Sequence, residues 1–255
     1  MHKRRITSSA AVGILLFLLT APSQAWTPAT VQAIAGEAYV LAPRDLARQI
    51  AHHRDVFAAG VAAPLPERDL ATPERLAKAV DGEVAAAIQA IQKHKPFPEV
   101  VRRLGVVASY LAYANAPLPG WAAGDANVPE GARIGPDYFR YAEAVESRFP
   151  LIFYGILPGL EAQKGVGAVV DEALRRGRES VPLLDLEYQR IGFASGLDLF
   201  DDRSTAFGVA STSFSHAVTD VSTVLRYIWL KAGGSDDRTH LPARGEELIV
   251  LPRSH

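Results

Sequence analysis

The chain has 255 residues, enough for one sizeable domain or two small ones. Its 27 Lys and Arg against 28 Asp and Glu leave no basic excess of the kind a nucleic-acid-binding surface needs. Cysteine is absent, which excludes both disulfides and lipid attachment through a thiol, so the fold must rest on its apolar core.

Residues 1–25 read as a secretory signal peptide. Lys3, Arg4 and Arg5 form a basic start, Val12 to Leu19 an apolar stretch too short to span a bilayer, and Ser23-Gln24-Ala25 a small-x-small cleavage site. Removing this segment takes away three of the 27 cationic residues and none of the acids, leaving a net charge of −4. The expected mature chain begins at Trp26 and is secreted or periplasmic.

Thr27-Pro28 predicts an N-cap and first turn, followed by a helix with Val31, Ile34, Ala38 and Leu41 on one face. A second helix from Pro43 uses Leu46, Ile50 and Phe57, and carries His52, His53, Arg54 and Asp55. Neighbouring residues on a helix point about 100° apart, so the two histidines do not readily face one ion. A turn, FAAGVAAPLPERD, follows. Thr72-Pro73-Glu74 then opens a helix with Leu76, Val80, Val84, Ala87, Ile88 and Ile91 inward.

The stretch from Pro98 to Pro119 predicts the central helix, with Val100, Leu104, Val107, Ala108, Leu111 and Ala112 as its core stripe. Ser109 and Tyr113 lie one turn apart beside that stripe and share a face. A Gly- and Pro-rich loop over 118–136 carries Trp121, Asp125 and Glu130. The segment PDYFRYAEAVESRFP reads as another helix, packed through Tyr138, Tyr141, Ala142 and Val145. Two long helical patterns follow. One spans Gly165 to Phe200 with a break expected at Pro182, and the other runs from Ser204 to Lys231 with His216 beside its stripe as a core histidine. Residues 235–255 read as a flexible C-terminal tail, with Glu247 to Leu251 as a short alternating piece. The fold class expected is all-α: a single-domain helical bundle over 26–234 with Pro-rich connecting loops.

Several of these stretches are similar to the zinc-dependent phospholipase C and single-strand-specific nuclease superfamily. LGVVASYLAYANAPL resembles its segment LG-x-x-x-H-x-x-x-D-x-x-x-PLH, with Leu104, Gly105, Pro117 and Leu118 matching and Ser109, Tyr113 and Pro119 at the ligand positions. Trp26 and Thr30 fit W-x-x-x-T-H, with Val31 at the His. Phe57, Gly60, Ala63 and Pro64 fit F-x-x-G-x-x-A-P-D, with Leu65 at the Asp. Glu143 fits the acid of H-x-x-x-E, with Phe139 at the His.

The resemblance implies a helical bundle whose relatives hold three zinc ions with His, Asp and the amine of an N-terminal Trp. Here the frame is kept and the ligands are replaced, so no metal or other cofactor is expected. The implied protein is a degenerate, non-catalytic relative whose old cleft, lined by Trp26, Ser109, Tyr113, Asn115 and Glu143, serves for binding. Its partner would be a small molecule, a lipid headgroup or an envelope protein. The alternative is a phosphoric-ester hydrolase with a reduced zinc site, rebuilt from His52 or His53, Asp55, Asp69, Glu143 and the Trp26 amine. No other catalytic signature is present. Gly192-Phe193-Ala194-Ser195-Gly196 lacks the preceding strand of a nucleophile elbow, and there is no P-loop, dinucleotide fingerprint or H-E-x-x-H.

Overall fold

Helix starts fall where the capping residues place them. A computed structural model describes residues 25–118, 133–135, 137–193, 200–236 and 241–253. Thr27 caps α1 (Pro28–Tyr39), accepting the Thr30 N–H at 3.3 Å. Thr72 caps α4 (Pro73–Gln92) in the same way through Arg75 N–H at 3.3 Å. Ser204 caps α8 (Thr205–Lys231) through Phe207 N–H at 3.1 Å. In α1 and α4 a proline occupies the first turn, where its missing N–H costs nothing.

The helix expected from Pro43 is two helices, α2 (Arg44–His52) and α3 (Arg54–Val61). They join at His53, whose φ of −115° and ψ of 37° turn the chain out of helical geometry. The central helix, α5 (Phe97–Ala114), crosses α3 through two glycines. A Cβ on Gly60 would stand 2.1 Å from the Arg102 carbonyl oxygen, and one on Gly105 would stand 2.3 Å from that of Phe57. Only hydrogen fits at this crossing.

After α6 (Tyr138–Val145) comes β1 (Leu151–Phe153), then α7 (Gly167–Ile191) and α8. The break expected at Pro182 does not occur, because α7 runs through it unbroken. Val181 on one side and Leu184 and Tyr188 on the other are buried, and this packing outweighs the hydrogen bond that proline removes. Helix α8 touches α1, α4, α5, α6 and α7, and is buried on nearly every side.

Buried hydroxyls on α8 complete the two-stranded sheet. One edge of β1 pairs antiparallel with β2 (Ile249–Leu251). On the other, Ser215 Oγ accepts the Ile152 N–H at 3.2 Å and Thr219 Oγ1 accepts the Tyr154 N–H at 3.1 Å. These polar residues stand where strand backbone needs partners that a helix otherwise cannot supply.

The C-terminal segment, expected as a flexible tail over 235–255, is strapped to the bundle across 241–253. Besides the β1 pairing, Arg253 reaches Glu37 at 3.0 Å and also pairs with Glu146. Arg244 reaches Asp220 at 2.8 Å. Arginine heads at fixed spacing, invisible to a reading based on hydropathy, hold this segment. The all-α expectation otherwise stands: eight α-helices and one two-stranded sheet surround one apolar core among the described residues. No described helix is long and apolar enough to cross a membrane. Trp121, Asp125, Glu130, Pro119 and residues 1–24 lie outside the described residues.

Candidate functional site

Trp26 is fixed before α1 begins. Its indole N–H donates to the Ala112 carbonyl oxygen at 3.0 Å, and its ring meets Phe139 of α6 edge-on, centroids 5.6 Å apart. The side chain is 3% exposed, so it acts as a wall.

Beside it lies a cavity of about 460 Å³. Pro28 and Val31 line it from α1, Val61 to Leu65 from the end of α3, and Ser109 and Tyr113 from α5. The glycine crossing of α3 and α5 brings these walls together, since Gly60 precedes Val61 and Gly105 lies one turn before Ser109. The positions Trp26, Val31, Leu65, Ser109 and Tyr113 therefore share one cavity.

Its chemistry is apolar with two hydroxyls. Burial raises the Tyr113 phenol above its ordinary value, so it stays protonated and offers a hydrogen bond rather than a phenolate. Among the described residues Glu67, exposed at the rim, is the only charged side chain in the lining. A zinc ion needs deprotonated nitrogen, sulfur or carboxylate donors. Val31, Leu65 and Phe139 offer none, and Ser109 and Tyr113 offer neutral hydroxyls. These residues do not fit zinc.

Two residues expected in this cleft lie elsewhere. Asn115 is turned away, donating to Leu111 O at 3.0 Å and to Asp220 at 3.1 Å. As the C-cap of α5 it follows the helix past the cavity, so sequence proximity to Tyr113 misplaces it. Glu143 is exposed and lines a separate depression of about 470 Å³ with Glu37, Glu146, Arg54 and Arg253. It lies one turn beyond Phe139, which meets Trp26 edge-on and does not line the cavity.

The groups of the rebuilt zinc site are scattered. His52 is exposed with its ring against His53, centroids 4.6 Å apart, and Asp55 is exposed on α3. Asp69 accepts the Tyr110 hydroxyl at 2.8 Å beside Arg68 and Arg75, in yet another depression. Among the described residues no three His, Asp or Glu side chains gather as a metal site.

The sequence reading missed a second cluster, built around Asp220 on α8. Asp220 is fully buried and receives Arg176 of α7, Arg244 of the C-terminal segment at 2.8 Å and Asn115 at 3.1 Å. Gly177 lets α7 approach: a Cβ there would lie 2.7 Å from the Ala116 carbonyl oxygen. His216, one turn before Asp220, stacks on Tyr154 with centroids 3.8 Å apart. Burial, then Arg176 and Arg244, push its imidazole down to about 3, so it is neutral at pH 7. Four-residue spacing of His216 and Asp220 within an apolar helix was the one sequence signal for this cluster.

Compared with protein-family models, curated proteins and solved structures, the chain matches none of them.

Proposed function

We propose that this is an exported, non-catalytic binding protein, a degenerate relative of the zinc-dependent phospholipase C and nuclease superfamily, and that the Trp26 cavity holds a small, mainly apolar molecule. The observation that carries this is convergence: four of the six side-chain positions at which the resemblance puts metal ligands line one cavity, and there they are Val31, Leu65, Ser109 and Tyr113. Independent apolar substitutions scattered over a surface would not enclose about 460 Å³. That volume lies in the range of small-molecule sites.

Apolar walls contribute affinity by leaving water, and the Ser109 and Tyr113 hydroxyls orient an occupant that carries one polar group. Among the described residues no Lys, Arg or His side chain lines the cavity, so a phosphodiester would meet at most the Trp26 amine freed by cleavage. The occupant fitting this lining is uncharged, an alcohol or amide on an apolar body.

Exported protein, its start fixed by intact mass, tests the reading. Metal content is measured alongside hydrolysis of a phosphodiester and of a phospholipid. The expected result is a chain starting at Trp26, no stoichiometric zinc and no turnover. Bound zinc with turnover would overturn the proposal.

A further inference from the structure

The two-stranded sheet has one open edge. On β1 the Ile152 and Tyr154 N–H groups point toward α8, to Ser215 and Thr219. In an antiparallel ladder the N–H and C=O of one residue share a side, so Leu151 and Phe153 are the residues that bond β2, through Leu251 and Ile249. Ile152 and Val250 face each other without exchanging bonds, and Val250 therefore turns its N–H and C=O outward, away from β1. No described residue meets them there.

The side chains at this edge are apolar. Val250 is 69% exposed and Leu248, two residues before it, 60%. Leu183 and Leu186 are exposed as well, but they lie on α7, whose backbone is already paired within the helix. Folded proteins usually protect a strand edge with a lysine, a bulge or a covering loop. Here exposed Pro252 ends the edge, and before it bare backbone stands beside hydrocarbon.

We infer that β2 pairs antiparallel with β2 of a second copy of this chain, about a two-fold axis at Ile249, to give a four-stranded sheet in the order β1-β2-β2-β1. Such an edge complements itself, because each outward residue carries both a donor and an acceptor. In this register Val250 of each copy faces Leu248 of the other. The pair exchanges N–H···O bonds and covers both exposed side chains, with Ile152 continuing the apolar row. The antiparallel alignment carries Glu246 and Glu247 of the two copies to opposite ends of the junction, whereas a parallel one would set like charges side by side. Assembly stops at two copies. Helix α8 already covers the far edge of β1, and Pro252 has no N–H with which to lengthen the ladder. No residue lining the Trp26 cavity takes part, so this surface stands or falls apart from the function proposed above.

The test is sedimentation of the full exported protein from low micromolar to millimolar concentration, with amide hydrogen exchange followed by NMR in the same samples. A reversible monomer–dimer equilibrium is expected, weak because so short an edge makes a small interface. Exchange at the Val250 N–H should slow as the dimer forms, while the Ile249 N–H, bonded to β1, stays protected throughout. Val250→Pro removes the outward N–H without touching the bonds to β1, and should weaken association about tenfold or more. Val250→Lys keeps the N–H, puts a cation against Leu248 of the second copy, and should do the same; Ile249 protection reports that the sheet is kept in both. A chain that stays monomeric would overturn the inference and leave the edge to a strand of another protein. A dimer whose Val250 exchange does not change, or that both variants form as tightly as the wild type, would overturn it too and put the interface elsewhere.

Discussion

The C-terminal half of α5 faces two opposite solutions to burying a functional-looking surface. Around Ser109 and Tyr113 the chain surrounds open space with apolar side chains and neutral hydroxyls. Around Asn115, at the C-cap of the same helix, it packs charges against one another beside a fully buried Asp220. The first region carries the frame of a metal centre without its donors. The second has charged donors and no frame that a motif would reveal. Replacing coordinating groups with hydrocarbon leaves a stable pocket, because nothing polar is stranded. Burying guanidiniums works only while each partner stays.

That contrast sets the order of expected effects. Asp220→Leu removes the fully buried carboxylate shared by two largely buried arginines, and should lower unfolding free energy by about 3 kcal/mol in urea denaturation. A loss under about 1 kcal/mol would mean the cluster is solvated and the contrast is false. Gly105→Ala drives a methyl into the Phe57 carbonyl and should cost about 3 kcal/mol. It should also weaken occupancy of the cavity, since α3 and α5 supply facing walls, while leaving the His216 resonance in place.

Acid separates the regions by slope. The folded His216 pKa, about 3, lies below its ordinary 6.5, so the unfolded chain binds the extra proton first. Its contribution is complete above pH 6.5 and is lost as pH falls toward 3. Glu172, held down to about 2 chiefly by its hydrogen bond to Arg175, adds to this below its ordinary 4.5. Stability measured between pH 7 and 4 should therefore fall, and fall less in His216→Phe, whereas Ser109→Ala should follow the wild-type slope. Trp26→Phe removes the donor to Ala112 and part of the wall, costing about 2 kcal/mol.

Much of the bundle was legible because caps and stripes are local. Thr27-Pro28 and Thr72-Pro73 start helices where they stand, and the stripe from Val100 to Ala112 is buried as spaced. The Ser109 and Tyr113 pairing was legible for the same reason, since helical spacing fixes a face, whereas Trp26 joined them only through the resemblance. Gly60 and Gly105 were visible as letters of a frame, and their physical purpose is the backbone crossing beneath the cavity.

What escaped depends on distant pairs. Nothing near Arg244 or Arg253 says that they reach Asp220 and Glu37, so the C-terminal strap read as a tail. Pro182 was read by its local cost, and packing at Val181, Leu184 and Tyr188 decides instead. Asn115 was assigned by nearness in sequence to Tyr113 and Glu143 by its match to the acid of the H-x-x-x-E frame, and each points elsewhere.

The cavity itself gives the most direct test. Calorimetric titration of exported protein with 1-decanol should show saturable one-to-one binding, and Ser109→Leu, which fills the space from α5, should weaken it about tenfold or more while the fold is kept. Absence of binding, or unchanged affinity in Ser109→Leu, would contradict a binding role for the space beside Trp26.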